Sequence, residues 1–160
     1  MRHDDDAIAQ ARKTLGMAEQ FDATFLHGVL WRAFHQKRMY QEAVAQAKII
    51  FAADPEIVDA LSRGYENGGY AEANRQAAEK LAMRARLSFW EQENTTILWA
   101  FAGEKARALD WLEKGYESRH SMMSFIAIDP HWDDLRSEPR FQELRRRLKL
   151  PPIAESPAPQ

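Results

Sequence analysis

Gly68-Gly69-Tyr70-Ala71-Glu72-Ala73 places a sharp turn directly before an alanine-rich helical segment, and the same kind of helix start occurs three more times. The other starts are Asp6-Ala7-Ile8-Ala9, Tyr40-Gln41-Glu42-Ala43 and Lys105-Ala106-Arg107-Ala108. The aligned alanines (Ala7, Ala43, Ala73 and Ala108) are separated by 36, 30 and 35 residues. A period near 34 residues is typical of stacked helical hairpins, and a small side chain at this point lets two helices approach closely. The sequence therefore predicts a repeat protein made of helix pairs.

Helical periodicity extends to both sides of the Tyr40 start. Apolar residues three and four positions apart run from Tyr40 to Phe51, and a second such stripe runs from Leu26 to Phe34. Two amphipathic helices with a short connection fold back on each other. Strand signals are weak, because only Ser124 to Ile128 has the composition of a short strand. We therefore expect an all-α protein.

Composition excludes several classes of protein. The 160 residues contain no cysteine, which excludes disulfide frameworks and cysteine-based zinc sites, and the net charge of -2 attracts neither nucleic acid nor an anionic membrane. No apolar run approaches the ~20 residues of a membrane helix, so we expect no membrane insertion. The first residues lack the apolar core of a signal peptide. We expect a cytoplasmic protein, or a periplasmic one if a membrane anchor precedes the chain.

Two segments match a known half-repeat in which a turn, an aromatic residue and an alanine are followed by a proline. They are Arg38-Met39-Tyr40-Gln41-Glu42-Ala43 through Asp54-Pro55, and Gly68-Gly69-Tyr70-Ala71-Glu72-Ala73. A third segment, Gly103-Glu104-Lys105-Ala106-Arg107-Ala108 through Tyr116, is closer still. With these segments the chain resembles the tetratricopeptide repeat family over residues 5–151. Its ending, Asp133 through Leu144, resembles the C-terminal cap of bacterial arrays attached to signalling domains. Arg38 stands where the family keeps a turn glycine, and Trp31 where it keeps a small residue.

The resemblance implies a right-handed superhelix of antiparallel helical hairpins, a solenoid with a C-terminal capping helix. It implies one domain over residues 1–150, followed by a proline-rich disordered tail over 151–160. The expected parts of the domain are an unpaired helix at 5–18, hairpins at 21–54, 56–90 and 91–118, and a cap at 121–149. Because the chain begins inside a repeat, we expect it to be the C-terminal part of a larger regulatory or signalling protein.

The resemblance also implies a function, because the first helices of such hairpins line a concave surface that binds peptides or partner proteins. The residues expected on this surface are Arg32, His35 and Gln36 in one hairpin and Ser62, Tyr65 and Glu66 in the next. We therefore predict a non-catalytic protein-interaction scaffold with no cofactor and a protein or peptide partner. The alternative is self-association into a homodimer, in which a second copy covers the unpaired first helix.

No enzyme or metal site is evident in the residue pattern. His27 and His35 are eight residues apart, too far along a helix for two ligands of one metal ion. A hydrolase with an Asp/His site is the third hypothesis, and it needs a cavity that brings a carboxylate within hydrogen-bond reach of His27, His35 or His131. The basic cluster from Arg140 to Lys149 fits the solvated face of a capping helix better than a nucleic-acid contact, so we expect no nucleic-acid partner. The tryptophans fit helix packing better than a ligand cage.

Overall fold

The computed structural model describes residues 4–17, 23–84 and 86–150, and the predicted tail over 151–160 lies outside the described residues. These residues form seven α-helices and two short 3-10 helices, and none of them forms a β-strand. The all-α class is therefore confirmed. The α-helices are α1 (Asp4–Met17), α2 (Thr24–Gln36), α3 (Tyr40–Ile50), α4 (Pro55–Ala82), α5 (Phe89–Phe101), α6 (Lys105–Glu117) and α7 (Pro139–Arg147). Among the described helices, none combines the length and hydrophobicity needed to cross a bilayer.

The helices α2 and α3 form a tight antiparallel hairpin, and α1 packs against α2. Arg38, in the turn of the hairpin, has a φ of 58°, the left-handed conformation that glycine adopts most readily. The backbone N–H of Arg38 donates to His35 O at 2.9 Å, and that of Met39 donates to Phe34 O at 2.9 Å. These bonds satisfy carbonyls at the end of α2, so arginine closes a helix end that usually requires glycine.

The helix α4 is itself a hairpin. Gly69, with φ 74° and ψ -158°, is the one residue in it with non-helical backbone angles, and it separates residues 55–68 from residues 70–82. The two halves lie so close that a Cβ on Gly64 would stand 2.6 Å from the Cα of Ala73. The ion pair between Glu56 and Lys80, at 3.1 Å, joins the two halves of the hairpin at the end away from Gly69.

Three of the four aligned alanines are fully buried. Ala43, Ala73 and Ala108 have no exposed surface, whereas Ala7 is half-buried on α1. A buried methyl group at the start of α3, of the second half of α4 and of α6 is what the sequence pattern requires. The hairpins therefore share the close contacts that the alanine spacing predicts.

The middle of α5 is enclosed, because residues 94–99 are all buried. A capping box begins it: Ser88 Oγ accepts from the N–H of Glu91 at 3.2 Å, and the Glu91 carboxylate accepts from the N–H of Ser88 at 2.8 Å. The helix starts at Phe89, two residues before the point where the sequence pattern places the third hairpin. It packs on α4 and α6 and also touches α2, where Trp31 meets Phe101 edge to face at 5.2 Å.

The C-terminal part of the chain closes one end of the helices. A 3-10 helix at Ser121–Ser124 lies on α6, a second at Pro130–Leu135 lies on α5, and α7 packs on α6. Arg140 ties α7 to α6, because its guanidinium contacts Asp110 at 2.7 Å and Glu113 at 2.8 Å. Residues 125–129 connect the two 3-10 helices and reach the surface of α2.

Candidate functional site

Two neighbouring cavities lie where residues 125–131 approach α2. The α1 cavity, about 320 Å³, is enclosed by α1, α2 and this segment, and its lining residues are Asp4, Ala7, Val29, Arg32, Ala33, Gln36, Phe125, Ile128, Asp129 and His131. The α5 cavity, about 570 Å³, lies between α2, the end of α3, the start of α5 and the same segment. Its lining residues are Thr24, Phe25, Gly28, Trp31, Arg32, Ile50, Trp90, Glu93, Asn94, Phe125 and Asp129. Arg32, Phe125 and Asp129 line both cavities. We call the two cavities together the groove.

Large apolar side chains surround the groove and remain exposed. The exposed fractions are 72% for Phe25, 43% for Trp90, 57% for Phe125 and 75% for Ile128. Trp90 is held in place by an edge contact with Phe51 at 5.2 Å, and the capping box fixes the helix turn that carries it. An exposed apolar cluster beside a cavity is characteristic of a binding surface.

Polar side chains also line the groove. An Nη atom of Arg32 lies 3.6 Å from the carboxylate of Glu93, which links α2 to α5 across the α5 cavity. Asn94 donates to the carbonyl of Trp90 at 2.8 Å. The groove thus combines exposed aromatic side chains with polar groups, as ligand sites usually do.

The partly exposed Asp129 and the buried His131 form a pair at the start of the second 3-10 helix. Asp129 is the N-cap of this helix and accepts from the N–H of His131 at 3.2 Å, and its carboxylate also contacts Nδ1 of the imidazole. The side chain of His131 is only 2% exposed. Burial lowers the pKa of His131 below its ordinary value, and the contact with Asp129 opposes this shift. Burial disfavours the charged form of Asp129, but His131 and Arg32 favour it more strongly and hold the pKa of Asp129 below its usual range.

His35 belongs to a packed aromatic cluster between α2, α4 and α5. Its ring stacks on Phe101 at 3.6 Å, and its Nδ1 lies 3.2 Å from the hydroxyl of Tyr70. Tyr70 in turn stacks on Tyr40 at 4.6 Å, and Phe101 stacks on His131 at 5.7 Å. Burial, with a smaller contribution from the nearby His131, lowers the pKa of His35 to about 4, so its imidazole is neutral at pH 7.

The six residues expected on a concave surface fall into two groups. Arg32 and Gln36 line the α1 cavity, while His35 faces the aromatic cluster. In the second group, Ser62 donates to Val58 O at 2.8 Å within its own helix, Tyr65 packs against the core, and Glu66 is exposed. Neither cavity of the groove includes a residue of the second group.

Several residues of the groove were not among the predicted site residues: Phe25, Trp90, Glu93, Asn94, Phe125, Ile128, Asp129 and His131. Residues 125–129 have no helical periodicity, so no pattern marks their inward or outward positions. His131 and Trp90 carried the only usable signal, because a histidine and a tryptophan next to turn residues are common in sites.

The structure also shows the surroundings of the basic cluster and of the possible metal and Asp/His sites. Two arginines of the basic cluster are engaged by neighbours, since Arg146 pairs with Glu143 at 2.7 Å and Arg147 lies over the Tyr116 ring at 4.1 Å. Within residues 4–17, 23–84 and 86–150, no group of three or more His, Asp or Glu side chains is arranged to hold a metal ion. Asp129 contacts the imidazole of His131 as an Asp/His hydrolase site would require, but the side chain of His131 is only 2% exposed and does not present a ring nitrogen to the cavity.

Comparison with known proteins gives no relative: no family model matches the chain, and no curated protein or solved structure is significantly similar to it.

Proposed function

We propose that the chain is a tetratricopeptide-like interaction module that binds a peptide segment of a partner protein in the groove. The observation that carries this proposal is the cluster of Phe25, Trp90, Phe125 and Ile128, exposed around two adjoining cavities. Large aromatic side chains that can be buried by a ligand provide most of the affinity of such interfaces. The buried alanines of the second helices and the antiparallel hairpins support the tetratricopeptide-like assignment.

The position of this groove differs from that of the expected concave surface. In the repeat pattern, α2 and α5 are the first helices of the first and third hairpins, and the first half of α4 belongs between them. Here α2 touches α5 directly through Trp31, Arg32 and His35. The proposed ligand therefore lies along α2, α5 and residues 125–129, and the Ser62, Tyr65 and Glu66 group is outside its path.

The test is selection of binding peptides from a random 12-residue phage library against the full chain, followed by affinity measurement with alanine variants. Phe125→Ala and Trp90→Ala should each weaken the selected peptides about tenfold, as expected for truncated aromatic anchors. Phe89→Ala is the matched control, because Phe89 is also exposed on α5 but packs on His120, away from both cavities. Glu66→Ala separates the groove from the predicted concave surface and should leave affinity unchanged, because Glu66 is exposed and lines neither cavity.

Failure to select any peptide, or an equal loss for Phe89→Ala and Phe125→Ala, would contradict the proposal. Sedimentation of the wild-type chain and Phe125→Ala tests self-association, because a dimer that dissociates in this variant would mean that a second copy occupies the groove.

A further inference from the structure

The α5 cavity combines exposed aromatic rings with carboxylates that are accessible from solution. Phe25, Trp90 and Phe125 line this cavity, and all three rings are exposed. Glu93 and Asp129 line it as well, and their side chains are 35% and 26% exposed. A molecule that enters the cavity can therefore touch both kinds of group.

Negative charge predominates in the groove. Among the described residues that line the α5 cavity, Glu93 and Asp129 are opposed by one cation, Arg32. Asp4 adds a further carboxylate in the adjoining α1 cavity. Burial lowers the pKa of His131, so this ring adds no positive charge at pH 7. The groove should therefore repel an anionic ligand group and attract a cationic one.

The contact with Arg32 leaves Glu93 able to bind a second donor. An Nη atom of Arg32 lies 3.6 Å from the Glu93 carboxylate, which is longer than the roughly 2.9 Å of a typical N–H···O hydrogen bond. A carboxylate can accept at about four sites on its two oxygen atoms. Glu93 can therefore accept from a ligand while Arg32 keeps its position.

The exposed rings favour a guanidinium over other cations. The face of an aromatic ring is partly negative, and arginine is the cation that most often lies over it in proteins. The chain itself uses this contact, because the guanidinium of Arg107 lies over the Trp99 ring at 4.5 Å. None of the cation–ring contacts among the described residues involves Trp90 or Phe125. A planar guanidinium can stack on a ring and bond a carboxylate at the same time, whereas an ammonium acts as a point charge.

From this arrangement we infer that the α5 cavity is an arginine subsite, which takes the guanidinium of an arginine of the bound peptide between the ring of Trp90 and the carboxylate of Glu93. These two residues are three positions apart on α5, so they are neighbours on one helix face. Asp129, on the segment that follows Phe125, adds attraction from another wall of the cavity. The inference rests on the proposed peptide-binding function, for which it names the anchor side chain.

The test titrates N-acetyl-arginine methylamide into the full chain while the indole N–H resonance of Trp90, assigned with Trp90→Phe, is followed by NMR. Saturable shifts in the millimolar range are expected. The citrulline analogue has the same shape but a neutral urea group, so it should bind at least about fivefold more weakly. Raising the NaCl concentration about tenfold should weaken the arginine probe and leave the citrulline probe unchanged.

Glu93→Gln keeps the shape of the side chain and removes its charge. This variant should bind the arginine probe at least about fivefold more weakly and the citrulline probe as before. Glu66→Gln is the matched control, because Glu66 is exposed on α4 and lines neither cavity. Equal binding of the two probes to the wild-type chain, or unchanged arginine binding in Glu93→Gln, would overturn the inference. The salt dependence requires no variant, so it tests the inference even if Glu93→Gln does not fold.

The two proposals can fail separately. If the selected peptides depend on Phe125 and Trp90 but the two probes bind equally, the groove binds peptides without an arginine anchor. If the arginine probe binds as described and no peptide is selected, the subsite holds and the peptide-binding function is wrong. If both hold, replacing the arginine of a selected peptide with citrulline should weaken it at least about fivefold in the wild-type chain but not in Glu93→Gln.

Discussion

The α4 hairpin and the groove differ in how closely their side chains are packed. In the hairpin, Gly64 lies against the backbone of Ala73, and charged side chains are paired, as in the contacts of Arg75 with Glu72 and Glu79. In the groove, two cavities remain open and aromatic side chains are exposed at their edges.

This difference separates the scaffold from the site. Tight packing stabilises a fold and leaves no space for a ligand. Exposed apolar surface beside an open cavity has the opposite property, because a ligand can bury it. Substitutions in the hairpin should therefore change stability, whereas substitutions at the groove rim should change binding.

Gly64→Val should have the largest effect on stability. Any Cβ at this position meets Ala73 Cα at 2.6 Å and Glu72 O at 2.8 Å, so the two halves of α4 must move apart. Overpacking against backbone atoms should lower the free energy of unfolding by about 3 kcal/mol, measured by urea denaturation. Gly28→Ala is the matched control: its methyl group meets only Arg32 Nη1, at 3.9 Å, so stability should be unchanged or rise by up to about 1 kcal/mol. Equal stability of the two variants would contradict the close packing described for α4.

Acid should weaken the contact between α2 and α5. The pKa of His35 is about 4 in the folded chain, against an ordinary value of 6.5, so between these pH values the unfolded chain binds the proton more strongly. The stabilisation is complete above pH 6.5 and is lost as the pH falls towards 4, with a total of about 2 kcal/mol for this partly enclosed ring. Urea denaturation at pH 7 and pH 4.5 measures the loss. In His35→Gln the dependence should be clearly weaker, and an unchanged dependence would show that another group is responsible.

Arg84→Met should have a smaller effect. Arg84 contacts Asp54, the N-cap of α4, at 2.6 Å and Glu91 of α5 at 2.9 Å, so it connects three segments. Because the side chain is partly exposed, its loss should reduce stability by about 1 kcal/mol, and less at high salt. The control is Arg146→Met, which removes a single exposed pair with Glu143 and should change the melting temperature little. Equal shifts in the two variants would mean that Arg84 acts as an ordinary surface pair.

Local patterns in the sequence were sufficient to predict the helices and their close contacts. The positions of Ala43, Ala73 and Ala108 follow from a spacing that can be counted, and burial of all three agrees with it. Arg38 also occupies the turn predicted for it, with the backbone conformation of the glycine that it replaces. The capping box formed by Ser88 and Glu91 is a local signal too, but helical periodicity alone places the start of α5 too late.

The groove could not be predicted in the same way, because it depends on contacts between residues far apart in the chain. The meeting of Arg32 with Glu93 and the approach of Phe125 to α2 follow from how whole helices pack. Residues 125–129 lack regular structure, so their side-chain directions have no period. The predicted residues Arg32 and Gln36 do reach the α1 cavity, whereas the role of the Ser62, Tyr65 and Glu66 group remains a prediction.

Gly69 has a mechanical consequence for the whole molecule. A single residue joins the two halves of α4, so there is no loop in which rotation between them can be absorbed. Opening that hairpin would separate the backbones that meet at Gly64 and Ala73 and would break the ion pair between Glu56 and Lys80. A ligand that needs more room is therefore expected to displace edge side chains such as Phe125 rather than to move the two halves of α4 apart.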